Sequence, residues 1–171
     1  MTTLHMRFET ENMRNNKNLT RPVRIANRGI LLNGSKILLS YEDKRDIWMI
    51  PGGGMEPNER NDDGCIREFE EETGIIVEIE DLVVKIREYY DSIIHENNYY
   101  VVKKIGNGEQ ALTDDEKENG LVAKWIELNE AAEIFSKYEE YDESDCMKCC
   151  IYRREYNALS HFKMWLEKSE E

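Results

Sequence analysis

The chain has 171 residues, 40% hydrophobic and 35% charged, with a formal net charge of −13. That length suits one domain with a continuous core that needs no disulfides. No apolar run approaches membrane-spanning length, the polar start Met1 to Thr10 is no secretory signal, and the acidic balance repels nucleic-acid backbones and anionic membranes; a cytoplasmic protein with neither nucleic-acid duplex nor membrane as partner is expected.

Residues 1–20 read as a flexible or irregular N-terminal arm, and 21–171 as a single domain. Val23 to Leu32 is predicted to be a strand, Asn33-Gly34 a hairpin turn and Lys36 to Tyr41 its partner. Glu42 to Asp46 is a charged loop, and Ile47 to Ile50 a short strand. Pro51-Gly52-Gly53-Gly54 ends it, because Pro lacks a donor and Gly tolerates backbone angles other residues avoid, so a carbonyl can turn inward. From about Asn61 the pattern is helical: Asn61, Asp62 and Asp63 offer N-cap side chains, Cys65, Ile66 and Phe69 form an apolar stripe, and Gly74 stops the helix.

Ile75 to Ile79 and Leu82 to Tyr90 alternate as strands. Tyr99 to Ile105 is expected to pair with the latter across a polar turn near His95-Glu96-Asn97-Asn98. Gly106 to Gly120 reads as an acidic loop. Leu121 to Leu128 is a strand, followed by a helix around Glu130 to Lys137 with Asn129 as its cap. From about Ser144 to Lys168, Tyr152, Tyr156, Leu159, Phe162 and Leu166 recur at helical spacing.

Positions three and four apart share a helix face, so Glu68 lies beside Glu71 and Glu72, turned away from Phe69. Bare like charges this close repel. A hard divalent cation relieves that, and Mg²⁺ in particular takes a few carboxylates, some waters and substrate phosphates. Arg67, four residues before Glu71 and eight after Glu59, is expected to tie the loop to the helix. An acidic helix face is ordinarily just solvated; here the spacing decides. From Gly53 the chain spells G-x5-E-x7-R-E-(apolar)-x-E-E-x-G-(apolar) through Glu59, Arg67, Glu68, Phe69, Glu71, Glu72, Gly74 and Ile75, a coincidence of order one in a hundred million per starting position.

This pattern resembles the signature of the Nudix hydrolases, and Trp48-Met49-Ile50-Pro51-Gly52 is similar to what usually leads into it. The resemblance implies an α/β fold, a Nudix-type α/β/α sandwich with a mixed β-sheet and the signature as loop-helix-loop. It implies Mg²⁺- or Mn²⁺-dependent hydrolysis of a diphosphate in a small nucleotide-type substrate. By position, Glu68 and Glu72 would be metal ligands, Glu71 a ligand or proton acceptor, Gly53 a carbonyl ligand, and Glu59, Arg67 and Gly74 structural. A departure is Gly64-Cys65, where relatives often carry small helix formers; Gly64 costs about 1 kcal/mol relative to Ala. Members commonly draw a further carboxylate from outside the signature, often just before a strand bearing a tryptophan like Trp125. Glu118 is therefore the first candidate for general base, ahead of Glu116 and Glu109. A homodimer is left open.

The leaving moiety is not identified. No proline follows Pro57, so the downstream proline of ADP-ribose-type members is missing, as are the tail motif of NADH-type and the upstream arginine motif of coenzyme A-type members. Arg28, Tyr41 and Tyr89 are the substrate-binding candidates, with Arg24, Trp48 and Tyr90 near them; strand aromatics ordinarily pack. A nucleoside triphosphate and a nucleotide-sugar are equally open. Cys146, Cys149 and Cys150 lack a second pair and a nearby histidine other than His161, so reduced thiols packing a helix are expected rather than zinc. His5, His95 and His161 read as surface residues. The alternatives are a non-hydrolytic nucleotide-binding or regulatory protein on the same scaffold, and an isomerase, which would need a reactive cysteine where Cys65 lies on the packing stripe.

Overall fold

The computed structural model describes residues 2–15, 20–141 and 145–169. In chain order its elements are β1 (Thr2–Arg7), α1 (Glu11–Asn15), β2 (Val23–Ile30), β3 (Leu32–Asn33), β4 (Lys36–Glu42), β5 (Ile47–Met49), β6 (Gly52–Gly54), α2 (Asn61–Thr73), β7 (Ile75–Tyr89), β8 (Ile94–Asn107), α3 (Asp114–Asn119), β9 (Leu121–Glu127), α4 (Leu128–Ser136), a 3-10 turn (Tyr138–Tyr141) and α5 (Cys146–Ser169). Strands β1, β7, β8, β2 and β6 form one sheet in that order. Its β1–β7 and β2–β8 pairs are parallel and the others antiparallel, so the sheet is mixed. The second sheet is antiparallel, with β4 between β5 and β9 and β3 paired to its start.

Two apolar clusters account for the layering. Cys65 and Phe69 of α2 pack with Leu31, Val77, Tyr100 and Val102. Phe135 of α4 and Tyr152, Leu159 and Phe162 of α5 pack with Ile30, Ile86 and Tyr99 and with the second sheet. Side chains buried this completely contribute about 1.5–3 kcal/mol each. Helices thus cover both sides of the strands, the α/β/α sandwich expected. No helix among the described residues is long and apolar enough to cross a membrane.

The structure departs from the sequence reading where tertiary pairing overrides local pattern. Thr2–Arg7 is not a loose lead-in but an edge strand in register with Val84–Tyr89, with Met6 buried and Leu4 packed on the core; residues 16–19 of the expected arm, and Ser144, lie outside the described residues. The long strand expected over Val23 to Leu32 breaks at Leu31, whose carbonyl accepts from Leu38, and the chain crosses there between sheets. Residues Ile75–Tyr89 form one strand rather than two, with register irregularities near Val77, Asp81 and Val84. The β7–β8 connection falls at residues 90–93, so His95 to Asn98 are strand, not turn. Asn97 is buried there with both ends of its amide bonded, to Arg28 and Glu88, and Asn98 is buried with its Nδ2 donating to Asn27 Oδ1. Helix α4 begins with Glu127 at its N-cap, so Asn129 does not cap it.

Candidate active site

Strand β6 is three glycines laid against Ala26–Arg28 of β2. At Gly52 (φ +141°) a Cβ would run into the backbone of Asn27, and at Gly53 it would overlap the Glu68 carboxylate. Only glycine allows both approaches. Buried Arg28 braces this strand: its Nη1 donates to the carbonyls of Ile50 (2.9 Å) and Gly52 (3.3 Å), and its Nε to Asn97 Oδ1 (3.2 Å).

Helix α2 starts with Asn61 as its first residue; Arg60 holds the N-cap position without a side-chain cap and pairs with Asp62. It ends at Gly74, left-handed at φ +70°, whose N–H donates to Glu70 O. Arg67 ties loop to helix, reaching Glu59 with Nε (2.8 Å) and Nη2 (3.0 Å) and the Gly54 carbonyl with Nη2 (3.1 Å). That bond holds the Glu59 carboxyl below the usual carboxylate range. It also explains Gly64, where a Cβ would stand 2.9 Å from Glu59 Oε2.

The same guanidinium turns Nη1 to Glu68 (2.8 Å) and Glu71 (3.0 Å). Glu72 is buried, accepting from Ser40 Oγ (2.6 Å) and Gly52 N (3.3 Å) on one oxygen. Burial pushes its carboxyl up to about 8, against the pull of those bonds and of Arg28. Burial raises Glu68 as well, Arg67 opposing it. Oxygen donors, partly stripped of water and short of positive charge, are the chemistry a hard divalent cation requires. No three acidic, His or Cys side chains among the described residues yet converge on one point, because Arg67 stands between Glu68 and Glu71. A cation would take over that neutralising role, with Glu68, Glu71 and Glu72 as its holders beside Gly53.

These residues line a cleft of about 540 Å³. Its far side comes from the segment after β8, fastened to the end of α2: Gln110 Nε2 donates to Glu72 O (2.6 Å) and Ala111 N to Glu71 O (2.8 Å). There the expected loop contains helix α3. Thr113 and Glu116 form its reciprocal capping box, and Asp115 and Glu116 line the cleft. Glu116 is close enough to raise both Glu68 and Glu72. The structure does not bring Glu118 into this cleft; it is exposed on α3. Glu109 borders a neighbouring hollow with Glu70 and Glu71. The Thr-x-x-Glu spacing at Thr113–Glu116 is the sequence signal that marks this helix.

Of the substrate candidates, Arg28 reaches the cleft lining but spends its Nε and Nη1 on the protein. Tyr41 lies on the second sheet, bonded to Asp46, tilted against Trp48 and covered by Lys124. Tyr89 sits among His5, Arg7 and Arg21 at the sheet edge. Neither tyrosine lines the cleft. Arg24, named near those candidates, does line the cleft, and Ser40 does more here than its sequence position discloses. Cys65 is fully buried with its thiol raised to about 12, a packing residue rather than a nucleophile. Among the described residues no disulfide joins the cysteines; Cys146 is exposed and Cys149 and Cys150 are buried.

Comparisons with known proteins bear on the family and the fold. The uncharacterized Nudix hydrolase YvcI of Bacillus subtilis is 44% identical over 48 residues, 28% of this chain and 30% of that protein, so the match spans less than a third of its length. An RNA pyrophosphohydrolase of Zymomonas mobilis is 24% identical over 129 residues, covering 65% of this chain and 83% of its own. The solved structure of a NUDIX hydrolase from Nitrosomonas europaea superposes with a TM-score of 0.62 at 18% identity, covering 84% of this chain and 90% of that one, a likeness of fold. The NUDIX domain model matches residues 23–145, well over half the sequence and the whole of the glycine strand, α2 and the cleft, and the chain therefore belongs to the Nudix family.

Proposed function

We propose that the protein hydrolyses the diphosphate bond of a nucleotide-type substrate with the help of a divalent cation, Mg²⁺ or Mn²⁺. The observation that carries this reading is the gathering of Glu68, Glu71, Glu72 and Glu116 around one cleft, with the two most desolvated carboxyls raised. Seven acids against three arginines line this cleft, a poor place for a diphosphate in a chain of net charge −13, unless further positive charge joins them. A cation held there would draw the phosphate oxygens in, offset charge developing in the transition state and acidify a bound water.

The remaining work falls to the chain. Glu72, fixed by Ser40 and Gly52, supplies a pre-aimed buried carboxylate. Arg67 keeps Glu68 and Glu71 paired until they are needed, while its Nε and Nη2 stay on Glu59 and Gly54. Glu116 takes the proton of the attacking water. One of its oxygens is bonded to Thr113 N (2.7 Å), which fixes its orientation and leaves the other free. Glu118, exposed on α3, is not given that role.

The test is a hydrolysis screen of purified protein with Mg²⁺ or Mn²⁺ against nucleoside triphosphates, nucleotide-sugars, ADP-ribose, dinucleoside polyphosphates and capped nucleotides. Turnover of one class, abolished by chelator and slowed about a hundredfold or more by Glu116→Gln but not by Glu118→Gln, is expected. Equal losses in both variants would remove Glu116 from the base role. No turnover by folded, metal-loaded protein would favour a binding protein on this scaffold.

A further inference from the structure

Helix α3 is short, and Asn119 is the one buried residue in it. A helix of this length with so little packed surface does not hold its own place; its fastenings do. At its end, the carbonyls of Asn119 and Gly120 accept from Lys44 N (3.1 Å) and Asp43 N (3.4 Å) in the turn after β4. Before its start, residues 108–113 run along the end of α2. A helix leaves its last carbonyls without partners of its own, and this segment supplies donors. Ala111 N reaches Glu71 O (2.8 Å), Gln110 Nε2 reaches Glu72 O (2.6 Å), and Gly108 N reaches Gly74 O (2.9 Å) just beyond the helix. All but one of these bonds come from the main chain. That of Gln110 comes from a side chain, so it depends on which residue stands there.

The path from this bond to Glu116 is short. Leu112 alone separates Ala111 from Thr113, whose N donates to Glu116 Oε2 (2.7 Å) and whose Oγ1 accepts from Glu116 N (3.3 Å). Glu72, whose carbonyl takes the Gln110 bond, has its carboxylate in the same cleft as Glu116. One amide therefore joins the main chain of one cleft carboxylate to the segment that aims another. Gln110 itself is exposed and does not line the cleft. Water replaces an exposed neutral bond at small cost, so this bond matters less for stability than for where α3 stands.

We propose that Gln110 is a positioning residue, whose amide holds the start of α3 against the end of α2 and so keeps Glu116 aimed into the carboxylate cleft. The charge of Glu116 bears on both Glu68 and Glu72, as that placement requires. The consequence for rate rests on the hydrolase reading above; the consequence for the place of α3 does not.

The test compares wild type with Gln110→Met, which keeps the side-chain length without the donor, and Gln110→Lys, which keeps a donor. Glu116→Gln and the double variant Gln110→Met/Glu116→Gln complete a cycle. In Mg²⁺, amide hydrogen exchange over residues 111–119 should quicken about tenfold in Gln110→Met while residues 61–70 stay within about twofold of wild type. Gln110→Lys should return toward wild type. On the diphosphate that the screen identifies, Gln110→Met should lose about tenfold in kcat, with KM and Mg²⁺ affinity within about twofold. Gln110→Lys should recover most of that loss, and the double variant should be no slower than Glu116→Gln alone. A helix cap with no positioning role would lower Mg²⁺ affinity along with kcat, or add its loss to that of Glu116→Gln. Either result overturns the proposal, as does unchanged exchange over 111–119 or unchanged kcat in Gln110→Met. A folded wild type that hydrolyses nothing sinks the hydrolase reading by itself, and the exchange over 111–119 then decides whether Gln110 holds α3.

Discussion

Ser40 Oγ donates a 2.6 Å hydrogen bond to Glu72 Oε2, joining strand β4 of the second sheet to the last turn of the signature helix. A bond to the ionised carboxylate favours that form, so Ser40→Ala should raise Glu72 further and weaken cation binding. Mg²⁺ affinity at pH 7 is expected to fall about tenfold, and because the buried Glu72 carboxyl loses a donor the melting temperature should drop by roughly 2–8 °C as well. Calorimetric titration of Mg²⁺ checks this; an unchanged affinity would reduce Ser40 to packing.

The raised Glu72 also makes metal-free stability depend on pH. Below its ordinary value of 4.5 the carboxyl is protonated in folded and unfolded chains alike; between there and about 8 only the folded chain keeps the proton. This group's contribution therefore becomes less favourable as pH rises through that window and levels off above it. In chelator, the melting temperature should be lower at pH 8.5 than at pH 6, and Glu72→Gln should narrow the gap. Mg²⁺ affinity should rise with pH across the same window, because the cation displaces the proton. Identical gaps in both proteins would assign the effect to other groups.

Asn97 accepts from Arg28 Nε (3.2 Å) and donates to Glu88 Oε2 (3.0 Å), linking the buried charges under α5 to the arginine that braces the glycine strand. Asn97→Leu leaves Arg28 Nε without its acceptor and Glu88 with one donor fewer. A cost of about 2 kcal/mol is expected, lowering the melting temperature by roughly 4–8 °C. Thermal unfolding of the variant measures it, and a change under about 1 °C would contradict the linkage.

Gly64→Ala reverses the usual sign. In an exposed helix interior this change adds about 1 kcal/mol of stability. Here the new methyl would press on a Glu59 carboxylate held by two Arg67 bonds and by Glu56 N (2.9 Å). Denaturant unfolding should show no gain and a net loss; a gain of the ordinary size would mean that Glu59 yields freely.

The signature helix was legible because its determinants are local: a glycine run before it, a left-handed glycine after it, and carboxylates at three- and four-residue spacings on one face. What escaped reading depends on partners distant in sequence. Asn97 and Asn98 look like turn residues until Glu88 and Arg28 are seen to hold the first, and Asn27 to accept from the second, inside the sheet. β1 has little internal pattern and becomes a strand only against the edge of β7. The Thr113–Glu116 capping box was written in the sequence, but the surrounding acidic residues read as loop, which set Glu118 ahead of Glu116. Ser40 is an ordinary strand residue until the fold sets it against Glu72.

The most direct measurement is Mg²⁺-dependent turnover by wild type and Glu72→Gln on whichever diphosphate the screen identifies, with folding followed by circular dichroism. The variant is expected to fold normally, because a buried amide fits where a largely protonated carboxyl sits, and to lose about a thousandfold or more in kcat. Full activity in a folded Glu72→Gln protein would contradict the assignment of this carboxylate cleft as the catalytic site.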